Sequence, residues 1–529
     1  MESTTIIANL RTENDALKSE NSVLKSELAE MNSKLAWLME QLSINKNKMF
    51  GASSEKNALN QLGLFADNYQ EVQLINDLPT EKKAEKPKKK GELSSRLPAD
   101  LPVEIIECVL PDDKQNCPDC GGPLHVIGSE VVRRGFRIIP ASAIVTEYKR
   151  SAYSCRACDK ASGDKPVPVI KAELPPQLIK GSMCEPETAA HLIVQKCVMG
   201  SPLHRQEQEW KRNGIKIDRQ TMSKWLIHIS KYYLEPIYDE LHRKLLHHSF
   251  LHSDGTNFQV LREPGKSPQS QSQMWIYRTS GDAKYPIVLY DYQPDKTKER
   301  PRDFLQGFSG YLMTDGCPSY HSLPDDIIVV GCFGHARRKY FDALKTLKTE
   351  KEKAGSNAII GLRYCDELFR IEREMEASSF EERYTIRDKL ATPVLKEFHE
   401  WLLSVQPLIA SQCATGKAVN YTLKQWKYLE RYLMDGCIEI SNNRCERSVK
   451  PFVINRKNFL FATSVAGARA AAVLHSMTET AKDNGLNPFE YLAHILRTVA
   501  GINLRENPDM ITALLPENAP QECRVESVV

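Results

Sequence analysis

Hydrophobic positions at the start of the chain recur with a seven-residue period. Ile7, Asn14, Asn21, Leu28, Leu35 and Leu42 form one row, and Leu10, Leu17, Leu24, Met31 and Leu38 form a second row between them. These are the a and d positions of a coiled coil, and polar Asn14 and Asn21 at a sacrifice stability for register and favour two strands. The competing reading is an amphipathic helix packed on its own domain, but the repeat is longer than an ordinary globular helix. A self-associating helix over 1–45 is expected. The pattern then breaks: Met49 to Lys56 reads as a compact turn, and the charge-rich run after Glu81 ends in Lys86-Pro87-Lys88-Lys89-Lys90. Residues 46–100 read as a linker, either simply solvated or also touching phosphate.

From Cys184 to His247 the apolar spacing turns helical. Ser201-Pro202 opens one helix, Gly214 breaks it, and Asp218 can cap a second from Arg219. Such a unit resembles a helix-turn-helix, with Arg219, Gln220, Ser223 and Lys224 at the start of the reading helix. Helix pairs joined by glycine are common in any helical domain, so the sequence leaves DNA reading and plain structure both open. Beyond His247 the period shortens. Strands are predicted at Phe250–Arg262, Met274–Thr279 and Ile287–Asp291, then a helix near Asp303–Phe308. Further strands follow at Tyr311–Thr314 and Ile327–Gly331, the last running into a helix over His335–Leu347. Three strands, a helix, a strand and a strand with its helix is the order of a ribonuclease H-like mixed sheet. Residues 350–437 read as an almost wholly helical interruption, after which helices are predicted over Ser441–Lys450 and Ala466–Asp483.

That strand order gives meaning to the carboxylates. Asp254 lies in the first strand and Asp315 ends the fourth, strands that are neighbours in this topology. Carboxylates brought together repel unless a cation neutralises them, and oxygen ligands of this kind suit Mg²⁺ or Mn²⁺. Glu446 is the best third acid, ahead of Glu439, because it falls inside a helix and is followed by Arg447, Lys450, Arg456 and Lys457, cations suited to a phosphate backbone. Two metal ions at such a site would activate a nucleophile and stabilise a leaving oxygen. Singly, each Asp-Gly would be an ordinary turn. Cys332-Phe333-Gly334-His335, followed by Arg337-Arg338-Lys339, reads equally as a structural junction or as an imidazole with a basic cluster beside the acids. Asn442 and Asn443 are either helix-start residues or DNA contacts, whereas Trp401 and Trp426 suit a core better than base stacking.

Composition bounds the rest. The chain has 529 residues, room for three or four domains of about 150 residues each. Lys and Arg number 71 against 68 Asp and Glu, a formal charge of +3, so a nucleic-acid surface must come from local segregation of charge. No apolar run reaches the roughly 20 residues of a membrane span, and the first residues do not form a signal peptide. Fourteen cysteines without a secretion signal fit a reducing compartment, where clustered cysteines bind metal. Cys117 with Cys120 and Cys155 with Cys158 form two C-x-x-C knuckles. Together they supply four thiolates for one structural Zn²⁺ and leave no open position for catalysis. A redox role for one pair would leave the other unexplained.

Taken with these features, the chain resembles the insertion-sequence-66 family of transposases along nearly its whole length. The resemblance rests on the heptads, Phe50-Gly51-x-Ser53-Ser54-Glu55-Lys56, the paired knuckles and Ser201-Pro202-Leu203-x-Arg205-Gln206-Glu207. Its most specific stretch is Asn442-Asn443-x-x-Glu446-Arg447, continued by Arg456-Lys457-Asn458-Phe459-Leu460-Phe461 and Thr480-Ala481-Lys482-x-Asn484-Gly485-Leu486-x-Pro488. Tyr491-Leu492 and Leu514-Leu515-Pro516 extend it. The resemblance implies an Asp/Asp/Glu triad of Asp254, Asp315 and Glu446 on a ribonuclease H-like fold with a helical insertion. It also implies cleavage at element ends and attack of the freed 3′-hydroxyl on target DNA without a covalent enzyme intermediate. Two positions depart from the family pattern: Gly255 stands where an acid is common after the first aspartate, and Asn455 where a glycine is common.

The expected architecture is multidomain α+β: coiled coil 1–45, linker 46–100, zinc-ribbon-like module 101–172, helical DNA-binding region 173–247, core 248–345 and 439–498 split by an insertion at 346–438, and a tail at 499–529. Expected partners are the element's terminal repeats, target DNA, a second copy through the coiled coil and accessory proteins of the same element, in a bacterial cytoplasm at the nucleoid and without a membrane. An inactive or domesticated DNA-binding copy, or a metal-dependent nuclease that cuts without joining, would share most of these features. Replacing Cys117 and Cys155 together by Ser should remove zinc from the purified protein and weaken DNA binding; unchanged zinc by atomic absorption would contradict the four-cysteine site.

Overall fold

A computed structural model of the chain describes residues 173–525, together with 18, 31, 144–149 and the strand residues 152–153 and 170–171. The heptad region (apart from Lys18 and Met31, both helical and exposed), the linker and the four knuckle cysteines lie outside the described residues. The chain divides into two units. In the one spanning Asp67–Pro175, strands β1 (Ala152–Tyr153) and β2 (Ile170–Lys171) pair antiparallel.

The larger unit contains a mixed sheet. Its strands are β3 (Phe250–Arg262), β4 (Gln271–Thr279), β5 (Val288–Gln293), β6 (Gly310–Thr314) and β7 (Ile327–Gly331), arranged β5-β4-β3-β6-β7. Strand β4 pairs antiparallel with both β3 and β5, while β6 and β7 run parallel to β3. A short strand β8 (Ala462–Ser464) joins the far end of β3 in parallel, a pairing absent from the sequence reading because three residues carry no periodicity.

Side chains alternate between the sheet's faces, so each strand feeds two cores. Trp275, Tyr277, Leu289 and Leu312 enter one core. Phe250 and Met313 enter a second, and Phe258, Val260, Met274, Ile276 and Tyr290 a third. Strand β4 is buried along nearly its whole length, which explains its unbroken apolar run.

Helices α1 (Pro186–Cys197), α2 (Leu203–Arg212), α3 (Arg219–Ile229) and α4 (Glu235–Leu245) precede the sheet and share the first core with it. As read from the sequence, Gly214, at φ +84°, follows α2, and Asp218 caps α3 by accepting from the Thr221 N–H at 2.6 Å. Helix α5 is Glu299–Phe304, earlier than the expected 303–308. Asp295, paired with Arg300 at 2.8 Å, fixes the turn that opens it, and Gly307 at φ +87° follows it, so the chain cannot stay helical to Phe308.

After β7 come α6 (Phe333–Lys345) and an insertion of five helices: α7 (Glu350–Ala354), α8 (Asn357–Glu374), α9 (Phe380–Ile386), α10 (Thr392–Val405) and α11 (Ala414–Leu429). Its centre is aromatic: Tyr364, Trp401 and Trp426 each contact the Phe398 ring, as does Tyr340 of α6. Buried Arg387 pairs with Glu372 at 2.7 Å and donates to the carbonyls of Tyr432, Asp435 and Ile438, closing the insertion back towards the core.

Helix α12 (Asn443–Phe459) runs through Pro451, well beyond the expected end at Lys450. Proline removes the donor that would reach Arg447 and favours a break. Packing overrides that preference here, since Phe452 and Asn455 beyond the proline are fully or nearly fully buried. Helix α13 (Val465–Asp483) covers the β5 edge. Ser476 accepts from the Tyr290 N–H at 2.8 Å, and Thr480 both accepts from and donates to the backbone of Val288, replacing the missing neighbour strand. Helices α14 (Pro488–Val499) and α15 (Asp509–Ala513) follow, and the stretch expected as a tail folds onto the first core through buried Leu504, Leu515 and Cys523.

Candidate active site

Asp254 lies on β3, on the face that carries Phe250 and His252. Strands β3 and β6 are in register with His252 beside Met313, and two residues further along each strand this register leads to Asp254 and Asp315. Parallel neighbours with a two-residue period therefore bring the two acids to one face at one end of the sheet. Asp315 sits just past β6. Its carboxylate accepts from the Cys317 N–H at 2.9 Å, and Gly316 adopts φ +86°, so the chain turns sharply away.

Glu446 comes from the first turn of α12, where the positive end of the helix favours a carboxylate. Asn442 fixes that turn. Its amide donates to the Ser253 carbonyl at 2.9 Å, its oxygen meets His252 Nδ1 at 3.0 Å, and its own N–H donates to Cys332 Sγ at 3.1 Å. One buried residue thus ties α12 by its side chain to the strand residues preceding Asp254 and by its backbone N–H to the junction before α6.

Two of the acids act on the third. Burial pushes the Asp254 carboxyl up to about 8, with the charges of Asp315 and then Glu446 adding to the rise against the Gly255 N–H and Arg338. Glu446 is nearly buried and receives Arg338 Nη2 at 2.8 Å, with His335 Nδ1 3.5 Å away. Burial pushes the Cys332 thiol up to about 12, with Glu446 adding to it. Glu439 is engaged elsewhere, with Arg444 at 3.0 Å, the Gly281 N–H at 2.9 Å and His252 at 3.6 Å; burial opposes its ionisation, yet these partners hold it well below the usual carboxylate range.

Carboxylate oxygens suit a hard divalent cation, and Glu446 Oε1 is buried without a hydrogen-bond partner. Among the described residues, the one group of three such ligands with atoms within 4.8 Å of one another is Cys332, His335 and Glu446; Asp254, Asp315 and Glu446 do not meet at that distance as a trio. Gly255, the departure after the first aspartate, has a local reason, since a Cβ there would stand 2.4 Å from the side-chain nitrogen of buried Gln273.

The other candidates are dispersed. Arg219, Gln220 and Lys224 are exposed and Ser223 half-buried at the start of α3. Arg447 and Lys457 are exposed on α12, and Lys450 is half-buried. Arg456 is committed to β3, where it donates to Thr256 Oγ1 at 3.0 Å and to the Asn257 carbonyl. The sequence reading missed Tyr421, whose hydroxyl donates to the Asp315 carbonyl at 3.1 Å from inside the insertion. Nothing in its local sequence marked it. Arg338 and His335 were marked only by the basic run after Cys332.

Comparison with known proteins gives these features a context. The family model described as "Transposase IS66 family" matches residues 181–470, and "zinc-finger binding domain of transposase IS66" matches 114–159, which spans Cys117, Cys120, Cys155 and Cys158. "Transposase C of IS166 homeodomain" matches 37–106, across most of the stretch read as linker, and "IS66 C-terminal element" matches 476–516. Two similar proteins of Sinorhizobium fredii (strain NBRC 101917 / NGR234), printed as uncharacterized proteins y4jD and y4qI, are 31% and 28% identical. The first alignment covers 80% of this chain and 81% of the relative, the second 75% and 72%. No solved structure matches significantly.

The chain is thus a nucleic-acid-processing enzyme with a zinc finger, and DNA is its partner. It belongs to the IS66 transposase family. No described helix is long and apolar enough to cross a membrane.

Replacing Asn442 by Ala leaves the Ser253 carbonyl and His252 without their side-chain partner. The loss should lower unfolding stability by about 2–4 kcal/mol in a denaturant titration, and a change below about 0.5 kcal/mol would contradict its role in seating α12.

Proposed function

We propose that this transposase cuts and joins DNA strands with Asp254, Asp315 and Glu446 as the acids of a ribonuclease H-like core. The observation that carries the reading is the parallel register that sets Asp254 and Asp315 side by side, with Glu446 in the first turn of a helix whose start is tied to β3 by Asn442. The strand order β5-β4-β3-β6-β7, broken after α6 by a helical insertion, supports the fold assignment.

Asp254, Asp315 and Glu446 would hold two Mg²⁺ or Mn²⁺ ions. Bound there, such ions supply an activated oxygen nucleophile and charge stabilisation at the phosphate. The chain's own residues set the stage for this. Arg338 holds one oxygen of Glu446, His335 stands beside the other, and Asn442 keeps the helix start against β3. Asp315 is aimed by its turn and by Tyr421 on its carbonyl. Arg447 and Lys457, exposed along α12, offer positive charge to a phosphate backbone, as do Arg219 and Lys224 at the start of α3. A two-strand coiled coil at the N-terminus would pair two copies, consistent with the need to hold two element ends.

The Asp254→Asn variant should lose strand cleavage by on the order of 10³-fold or more while retaining DNA binding. The assay is gel analysis of a labelled duplex carrying an element end, with Mg²⁺ and a target plasmid. Undiminished cleavage in the variant would reject the ligand role. Cut ends without joined products in the parent protein would reduce the activity to that of a nuclease.

A further inference from the structure

The insertion does more than interrupt the core: one of its helices forms a wall of the acid site. Tyr421 of α11 bonds the Asp315 carbonyl, and Gln425, one turn on, packs over the next residue, so that a Cβ on Gly316 would stand 3.0 Å from its amide carbon. Gln425 is buried, and its Oε1 has no hydrogen-bond partner. At the end of the helix, a Cβ on Gly331 of β7 would stand 3.1 Å from the Leu429 nitrogen. Helix α11 therefore lies directly against the strand ends beside Asp315.

Its outer side is cationic. Lys417, Lys424 and Lys427 are exposed, and spacings of seven and three put them on one stripe about 15 Å long. None of the three makes an ion pair among the described residues. Lys339 of α6 extends the stripe towards the acids, its Nζ 4.5 Å from the Tyr421 ring centroid. The His321 ring stacks on Tyr428 at 4.4 Å, and its imidazole, lowered first by burial, feels Lys427 and Lys424 on one side and Asp315 on the other. The helix that carries these lysines is the one whose Tyr421 and Gln425 lie against the Asp315 turn. Unpaired like charges along a rigid helix repel one another, and a polyanion laid along them relieves that repulsion.

We propose that α11 is a track for the sugar–phosphate backbone of DNA flanking the strand to be cut, with Lys417, Lys424 and Lys427 as its phosphate contacts. The stripe spans the rise of about four base pairs, and each contact releases condensed counterions on binding. The assignment rests on the acid-site reading for the position of the cut strand, but it is tested separately.

The test uses the full chain and a fluorescent duplex carrying an element end, with binding followed by anisotropy over a range of salt. Lys424→Ala/Lys427→Ala should make the slope of log affinity against log salt shallower by about two, with an unchanged thermal midpoint. Lys351→Ala/Lys396→Ala, two exposed lysines on other helices of the insertion, should keep the parent slope. A parent-like slope in the first variant, or an equal loss in the second, overturns the track. Full cleavage by Asp254→Asn with the shallower slope intact would instead overturn the acid-site reading and leave the track standing.

Discussion

The Asp254 carboxyl experiences burial and the charges of Asp315 and Glu446 together, and much of the surrounding structure is arranged around that crowding. Three acids are brought towards one place by a strand register, a glycine turn and a helix start. Gathering like charges costs stability unless cations compensate. Arg338 is one compensating charge within the chain: it hydrogen-bonds Glu446 and also opposes the rise at Asp254. Such an arrangement is costly as scaffolding, and a bound cation would offset that cost.

The supporting contacts show where the fold resists that cost. Asn442 joins β3, α12 and the Cys332 junction through three hydrogen bonds of one residue. Arg456 clips the far end of α12 to β3, and Ser476 and Thr480 of α13 satisfy the β5 edge. The result is a sheet held on both faces, with Glu446 attached to a helix that cannot easily slide. The insertion contributes through α11, whose Tyr421 and Gln425 lie against the Asp315 turn.

Much of this was legible from residue patterns. The strands β3 to β7 follow from their apolar periods, and the position of Asp254 and Asp315 follows from strand order, because a two-residue period and a parallel neighbour leave little freedom. Glu446 was separable from Glu439 by its place inside a helix. Less was legible where tertiary packing overrode local preference. The helix expected to end at Lys450 continues through Pro451 to bury Phe452 and Asn455, β8 is too short to show a period, and α5 starts earlier because the Asp295–Arg300 pair fixes its turn. Residues 499–525 looked like a tail because their apolar side chains are scattered, yet Leu504, Leu515 and Cys523 are buried. Tyr421 and the lysines of α11 carried no signal, since lysine on a helix is ordinary until its neighbours are known. The paired knuckles were read from cysteine spacing alone, and the zinc-finger match spans all four cysteines.

The central claim is that three distant carboxylates share divalent cations. Anomalous scattering from crystals of the full chain grown with Mn²⁺ tests it most directly. The account predicts manganese peaks bounded by the carboxylate oxygens of Asp254, Asp315 and Glu446. Manganese bound elsewhere, or held at Asp254 and Asp315 with Glu446 still turned to Arg338 and His335, would contradict it.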